Sequence, residues 1–172
     1  MVTGTSQTML IALRGNSGSG KTTVARALQR QRGRDQLAVI SQDVVRGEVL
    51  WANDRAGNPA IGLIDVMARY ALDRGFSVVV EGILHPDRYG DMLRRLIGDH
   101  NGRSLAYFWD VPFEETLRRH ATKPKAAEFG EAEMRDWWYG AAYVDGLAEA
   151  TIEVEETLDD AIRRISADCG WA

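Results

Sequence analysis

The fold of this chain is decided by the stretch Gly15-Asn16-Ser17-Gly18-Ser19-Gly20-Lys21-Thr22-Thr23, which follows the apolar run Met9-Leu10-Ile11-Ala12-Leu13. Its spacing is GxxxxGK[ST], the pattern of a loop that wraps the phosphates of a nucleotide. The glycines let the backbone curl until successive N–H groups point inward at phosphate oxygens. We therefore predict that residues 15–23 bind a nucleoside triphosphate.

Two side chains of this motif carry charge or metal chemistry. Lys21 is expected to reach the β- and γ-phosphates, and the Thr22 hydroxyl is expected to ligate Mg²⁺. The helix that begins near Gly20 adds the positive end of its dipole to the same anion. The alternative is a flexible glycine-rich turn that contains a lysine by chance. A strand-like pattern before the motif and a helix-like pattern after it favour the nucleotide site.

Composition and charge limit the classes to which the protein can belong. The chain has 172 residues, 45% of them hydrophobic and 27% charged, which suits one globular domain over residues 1–172. Its apolar runs are too short to cross a bilayer. A net charge of −4 argues against nonspecific coating of nucleic acid, although a local basic groove stays open.

Cysteine content and the first residues indicate the compartment. Cys169 is the single cysteine of the chain, which therefore forms no internal disulfide, and we interpret it as a tail or packing residue. Residues 1–8 carry neither a basic stretch nor an apolar core and do not resemble a secretion signal. We therefore expect a cytoplasmic protein.

Strand-like and helix-like patterns alternate along the chain, which is typical of an α/β protein built on a mostly parallel sheet. The predicted strands cover residues 8–14, 37–41, 76–81, 104–110 and 151–154. The predicted helices cover residues 21–32, 44–51, 61–73, 86–99, 112–120, 131–143 and 158–167. Segment 121–130, which is rich in Lys, Ala and Glu, is predicted to be mobile.

A carboxylate ends the buried third strand. Glu81 follows Val78-Val79-Val80, and ligands of such sheets bind where the strands end. We predict that Glu81 orients Mg²⁺ and the water molecules around it. The alternative is a surface acid that ends a strand, but the apolar residues before Glu81 draw it inward.

Asp43 follows the second strand, and Arg46 lies three residues later. A carboxylate in this place can accept the proton of an attacking hydroxyl while Lys21 and Mg²⁺ hold the phosphoryl group. Arg46 is expected near the same helix face, where it would meet a phosphate. The competing interpretations are a helix cap for Asp43 and a plain surface pair for the two residues.

Cations cluster around the predicted mobile segment, namely Arg118, Arg119, His120, Lys123 and Lys125. Such runs are usually solvated faces. Phosphoryl transfer, however, needs positive charge that arrives as the site closes, and a basic lid supplies it while excluding water. We therefore predict a lid at about residues 121–130, with Arg119 and Lys123 acting on the transferring group.

Residues that would bind the phosphoryl acceptor have weaker signals. His85 lies four residues past Glu81, near the same strand end, and is a candidate for contact with the acceptor. Trp51, Trp137 and Trp138 could line an acceptor pocket, but aromatic residues at helical spacing are more often part of the core.

Taken together, the chain resembles the small phosphate-loop kinases of the nucleoside-monophosphate-kinase-like fold. Within that group it is most similar to the branch of polynucleotide 5′-hydroxyl kinases, zeta-toxin-type kinases and chloramphenicol phosphotransferase. The supporting stretches are Gly15-Asn16-Ser17-Gly18-Ser19-Gly20-Lys21-Thr22, Ile40-Ser41-Gln42-Asp43-Val44-Val45-Arg46 and Arg119-His120-Ala121-Thr122-Lys123-Pro124-Lys125.

The resemblance implies a three-layer α/β fold of the phosphate-loop NTPases, with a five-stranded parallel sheet of order 2-3-1-4-5 and a lid after the fourth strand. In the polynucleotide kinases the acid that matches Asp43 is the general base, and the arginine that matches Arg46 contacts phosphate. Their lid carries two arginines where this chain has Arg119 and Lys123, and a lysine lacks the planar fork of an arginine. Several relatives carry Asp where this chain has Glu81.

The sequence therefore predicts transfer of the γ-phosphoryl group of ATP, with Mg²⁺, to a hydroxyl of a small molecule. A polynucleotide 5′-hydroxyl kinase and a nucleotide-dependent switch are the two alternatives. The chain lacks the NKxD motif that reads guanine, which counts against a GTP-dependent switch.

Overall fold

The structure is a computed structural model that describes residues 1–171; the side chain of Lys125 lies outside the described part. Its strands are β1 (Met9–Gly15), β2 (Leu37–Ser41), β3 (Ser77–Gly82), β4 (Arg103–Asp110) and β5 (Glu149–Glu153). Its helices are α1 (Lys21–Arg32), α2 (Pro59–Asp73), α3 (Pro86–Asp99), α4 (Phe113–Ala121), α5 (Glu131–Asp136) and α6 (Leu158–Asp168). No described helix is long and apolar enough to cross a membrane.

The five strands form one sheet in the order β2-β3-β1-β4-β5, and every neighbouring pair is parallel. The predicted fold class and strand order are therefore confirmed. All residues of β1 and of β3 are buried, because these strands lie inside the sheet with helices on both faces. The loop that leaves β1 consequently starts at the centre of the sheet edge where the parallel strands end.

Alternation along β1 sorts its side chains between two layers of core. Leu10 and Ala12 pack with the apolar sides of α2 and α3, whereas Ile11 and Leu13 pack with α1 and α6. Side chains of successive strand residues point to opposite faces, so a fully apolar strand fits a sheet covered twice. Cys169 is buried in the second layer, as expected of a packing residue.

The helix predicted over residues 44–51 is present over most of that segment, but it is not an α-helix. This segment is a π-helix, Val44–Val49, in which the N–H of Leu50 donates to the carbonyl of Val45.

The prediction of a helix over residues 131–143 is wrong beyond its first turns, because α5 ends at Asp136. The cause lies far away in the sequence. The side chain of Asn16 accepts a hydrogen bond from the N–H of Tyr139 and donates one to the carbonyl of Gly140. These backbone groups are satisfied by the phosphate-binding loop instead of a helical ladder.

Candidate active site

The loop between β1 and α1 curls against α4. Gly18 has φ of +79°, and a Cβ atom on it would lie 2.8 Å from the carbonyl oxygen of Thr116. Only glycine accepts both the left-handed backbone and the close approach. Gly18, one of the glycines of the motif, therefore also lets the loop pack closely against α4.

Lys21 lies buried inside this loop. Its Nζ donates to the carbonyl of Asn16 at 2.8 Å and to Oγ of Ser19 at 3.0 Å. The pKa of Lys21 is lowered to about 8, mainly by burial; the carboxylates of Glu81 and Asp43 act against this shift, and the positive charge of Lys123 adds to it. The structure thus brings a lysine, two acids and a second lysine from four chain segments into electrostatic contact.

Glu81 and Thr22 meet at the floor of the site. The Thr22 hydroxyl donates to Oε2 of Glu81 at 3.0 Å. The other oxygen, Oε1, is buried and has no hydrogen-bond partner among the described residues. A buried carboxylate oxygen left in this way is a ready acceptor for metal-bound water. These two residues fit a Mg²⁺ ion that is held mainly by water and substrate phosphates.

Asp43 stands exposed at the start of the π-helix, in helical backbone conformation, and its side chain makes no capping hydrogen bond. The interpretation of Asp43 as a helix cap is therefore wrong. The neighbouring Gln42 is buried instead, and its Oε1 accepts a hydrogen bond from the N–H of Leu84 at 2.8 Å. A Cβ atom on Gly82 would lie 2.5 Å from this oxygen, so the glycine after Glu81 makes room for Gln42.

Arg46 lies within the π-helix that follows Asp43, and His85 lies between β3 and α3. Nη1 of Arg46 donates to the carbonyl of Ala52 at 2.8 Å, which closes the turn after the π-helix. The Nδ1 atom of His85 accepts from the N–H of Asp87 and caps α3. Burial lowers the pKa of His85, and the accepting Nδ1 requires the neutral ring to carry its proton on Nε2.

Tyr139 is a site residue that sequence reasoning missed. Its ring lies edge-on against the His85 ring, with the centroids 4.0 Å apart, and the Arg88 guanidinium lies 5.9 Å from its centre. Arg88 is in turn held by Asp54, with Nη1 and Oδ2 separated by 3.0 Å. Tyr139 fell within a predicted helix, and its partners are distant in sequence, so no local pattern marked it.

The predicted lid cations have different surroundings. Arg119 donates to Oε1 of Glu115 at 2.7 Å and to the carbonyl of Ser19 at 2.9 Å, so it braces the phosphate-binding loop. Lys123 lies in the turn after α4 and within electrostatic reach of Lys21. His120 is buried and bonds the carbonyl of Phe129, which folds the segment back on α4.

A cleft of about 430 Å³ opens beside Gly20, between the end of α4 and the loop after β5. Gly20 and Leu158 form its floor, and the end of α4 and the loop after β5 form its walls. Sequence reasoning did not find this cleft, because the loop after β5, residues 154–157, carries no motif.

The three tryptophans considered for an acceptor pocket have different surroundings. Trp51 is 90% exposed and has a left-handed backbone with φ of +51°, so the core interpretation is wrong for it. Trp138 packs edge-on against Phe113, and Trp137 against Phe129.

Comparison with known families identifies the family of the chain. A family model described as an AAA domain matches residues 10–144, which include the phosphate-binding loop, Asp43, Glu81 and the lid segment. The chain belongs to this AAA domain family. A comparison of this chain with curated protein sequences found no match.

Solved structures share the fold of this AAA domain protein at low sequence identity. An APS kinase from Mycobacterium tuberculosis, solved with AMPPNP and APS, has 18% identity, full coverage of both chains and a TM-score of 0.71. A gluconokinase from Sinorhizobium meliloti has 17% identity, covers 96% of this chain and 93% of its own, and has a TM-score of 0.64.

A tunicamycin resistance protein from Deinococcus radiodurans has 17% identity and a TM-score of 0.64, with 96% of this chain and 97% of that one covered. The resemblance to the small phosphate-loop kinases is confirmed at the level of the fold.

Proposed function

We propose that the protein transfers the γ-phosphoryl group of ATP to a hydroxyl group of a small molecule. The observation that carries the proposal is that Glu81 accepts a hydrogen bond from Thr22 of the phosphate-binding loop, while Asp43 and Lys123 lie near enough to the buried Lys21 to act on its charge. A switch needs a nucleotide site alone, whereas an exposed acid beside the phosphate-binding lysine suits an acceptor hydroxyl. The kinase fold of the similar structures supports the same class of reaction.

The donor is held by the loop residues 15–23. Their N–H groups bind the phosphate oxygens, and the Lys21 Nζ leaves the Asn16 carbonyl to reach the β- and γ-phosphates. Thr22 and Glu81 hold Mg²⁺, which when bound neutralises phosphate charge. We further propose that the cleft of about 430 Å³ holds the nucleotide base, because it adjoins Gly20 and has the volume of a small-ligand site.

The acceptor enters on the side of Asp43. The Asp43 carboxylate accepts the proton of the acceptor hydroxyl, and the hydroxyl oxygen forms a bond to the γ-phosphorus. The bond from that phosphorus to the bridging oxygen breaks, and ADP leaves with the bond's electron pair. Lys21, Lys123 and Arg119 supply positive charge around the transferring group. Arg46 and His85 bind the rest of the acceptor.

Transfer of labelled γ-phosphate tests the proposal. We would offer the protein sugars, nucleosides, hydroxylated antibiotics and 5′-hydroxyl oligonucleotides, and we expect a labelled small molecule. Labelling of the oligonucleotide alone would favour a polynucleotide kinase. ATP hydrolysis without transfer to any acceptor would contradict a hydroxyl kinase, and a clear preference for GTP would favour a switch.

A variant of Asp43 separates chemistry from binding. Asp43→Asn should lower the rate of transfer about 10²- to 10⁴-fold, because the amide cannot accept the hydroxyl proton. ATP affinity, measured by calorimetry, should stay near its original value. Asp65→Asn on α2 is the matched control, since Asp65 pairs with Arg69 on a helix away from the sheet edge. Normal transfer by the Asp43 variant would remove Asp43 from the mechanism.

A further inference from the structure

The segment that follows α5, residues 137–147, crosses the phosphate-binding loop on its way to β5, and we call it the strap. Its backbone is held by two side chains, Arg14 near the end of β1 and Asn16 in the loop that follows. Arg14 is 1% exposed and Asn16 is 5% exposed, so both contacts are shielded from water. The strap is therefore attached to the residues that begin the nucleotide site.

The side-chain amide of Asn16 binds the strap with one donated and one accepted hydrogen bond, as a backbone peptide group does. Its Nδ2 donates to the carbonyl of Gly140 at 2.9 Å, and its Oδ1 accepts from the N–H of Tyr139 at 3.0 Å. The side chain of this loop residue thus points away from the phosphate cradle and towards the strap. Removing it would leave a backbone donor and a backbone acceptor without their partner.

The backbone of the same residue holds Lys21. The Asn16 carbonyl accepts from the Lys21 Nζ at 2.8 Å. A lysine that moves to the β- and γ-phosphates gives up this bond, and the peptide after Asn16 turns its N–H groups to the anion. Asn16 is consequently the residue through which nucleotide binding in the loop can affect Tyr139 and Gly140.

The far end of the strap is fixed by other contacts. Nη2 of Arg14 donates to the carbonyl of Ala142 at 2.9 Å, and Nη1 donates to Oε1 of Glu149 at 2.7 Å. Oε2 of Glu149 accepts from the N–H of Val144 at 2.7 Å. Because residues 142–144 are anchored to the sheet, a displacement of Asn16 acts mainly on Tyr139 and Gly140.

We propose that Asn16 is a positioning residue that couples nucleotide binding to the acceptor side of the site. It acts through Tyr139, whose ring lies on His85 and near Arg88. In the nucleotide-bound protein Asn16 draws this part of the strap into one fixed position, and Tyr139 then forms a wall for the acceptor. The inference rests on the proposed function, because it requires a triphosphate in the loop.

Hydrogen exchange of the full chain tests the coupling. Peptides that cover the strap are followed by mass spectrometry with and without AMPPNP and Mg²⁺, at a concentration that calorimetry shows to saturate each protein. In the unmodified protein, AMPPNP should slow exchange around Tyr139 about fivefold. In Asn16→Ala, exchange without nucleotide should be about five- to tenfold faster, because two hydrogen bonds are lost, and AMPPNP should have no further effect.

Two more variants separate coupling from simple loss of structure. Asn16→Asp keeps the acceptor for the Tyr139 N–H and loses the donor to Gly140, so it should keep part of the AMPPNP response. Tyr143→Phe removes the bond from another strap residue to Thr151 without touching the loop, so its response should equal that of the unmodified protein.

The outcomes distinguish this inference from the proposed function. An equal AMPPNP response in Asn16→Ala and the unmodified protein would overturn the coupling. So would AMPPNP binding that leaves strap exchange in the unmodified protein unchanged, although nucleotide binding would then stand. If AMPPNP does not bind at all, the proposed function fails and the coupling fails with it.

Discussion

The two halves of the candidate site are built in different ways. The donor half is one uninterrupted stretch, residues 15–23, and Lys21 finds its hydrogen-bond partners in the same loop. The acceptor half is assembled from separate segments, whose side chains bond across long distances in sequence, as Gln42 does to Leu84 and Arg88 to Asp54. Substitutions in the donor half should therefore lower the rate of transfer without a large loss of stability. Substitutions in the acceptor half should lower the stability of the fold or change the geometry of acceptor binding.

The largest effect is expected from Lys21→Ala in the donor half. Loss of the cation that meets the transferring group should lower the turnover number about 10²- to 10³-fold in a steady-state transfer assay. Urea unfolding should show no large loss of stability, because removing a buried lysine also removes its desolvation penalty. Arg30→Ala, an exposed cation of α1, is the control. A large drop in stability would mean that the donor half is not self-contained.

The second prediction concerns the buried ion pair between Arg14 and Glu149, which anchors the strap. Arg14 and Glu149 are each 1% exposed in their side chains, and Arg14→Met leaves the Glu149 charge buried without its partner. We expect a loss of about 3–5 kcal/mol in the free energy of unfolding, measured by urea denaturation.

Two further variants test whether the loss of stability comes from the unpaired buried charge. Arg14→Met combined with Glu149→Gln should be less destabilised than the single variant, because no buried charge remains unpaired. Arg118→Ala breaks an exposed pair with Glu115 and should leave the urea midpoint unchanged. A single variant as stable as the unmodified protein would show that the strap does not depend on this anchor.

The third prediction sharpens the role of Glu81. Glu81→Gln keeps an oxygen for the Thr22 hydroxyl but removes the charge that faces metal-bound water. The Mg²⁺ concentration needed for half-maximal AMPPNP binding should rise about 10- to 100-fold. Asp65→Asn should leave it unchanged. An unaltered Mg²⁺ requirement in Glu81→Gln would make Glu81 a purely structural acid.

The smallest effect is a dependence of nucleotide binding on pH. A lysine is charged below its pKa, and the pKa of Lys21 is about 8, so raising the pH through 8 neutralises it in the free protein. ATP affinity should fall about tenfold from pH 7 to pH 9, with proton uptake on binding, as calorimetry in buffers of different ionisation heat would detect. Lys21→Met should abolish the uptake. The same shift makes folding stability rise between pH 8 and 10.5, because there the unfolded state binds more protons.

The prediction of the fold from sequence succeeded where local pattern and tertiary role coincide. The apolar run before Gly15 predicted a strand over residues 8–14, which differs from β1 by one residue at each end, and the helix predicted over residues 21–32 has the bounds of α1. The prediction failed over residues 137–143, where Asn16 captures the backbone, and over residues 44–49 it gave a helix but not its π type. In both places the deciding partner or turn width is not written in the neighbouring residues.

The sequence by itself determined the phosphate-binding loop, because glycine spacing and a lysine act through backbone geometry that is local. It also indicated the strand-end acids Asp43 and Glu81, because parallel strands end at one sheet edge. Only the tertiary structure decided that Tyr139 lies on His85, that Arg119 braces the loop, and that a cleft lies beside Gly20. The physical reason is that these contacts join residues far apart in the chain, and their energies depend on packing that no single segment encodes.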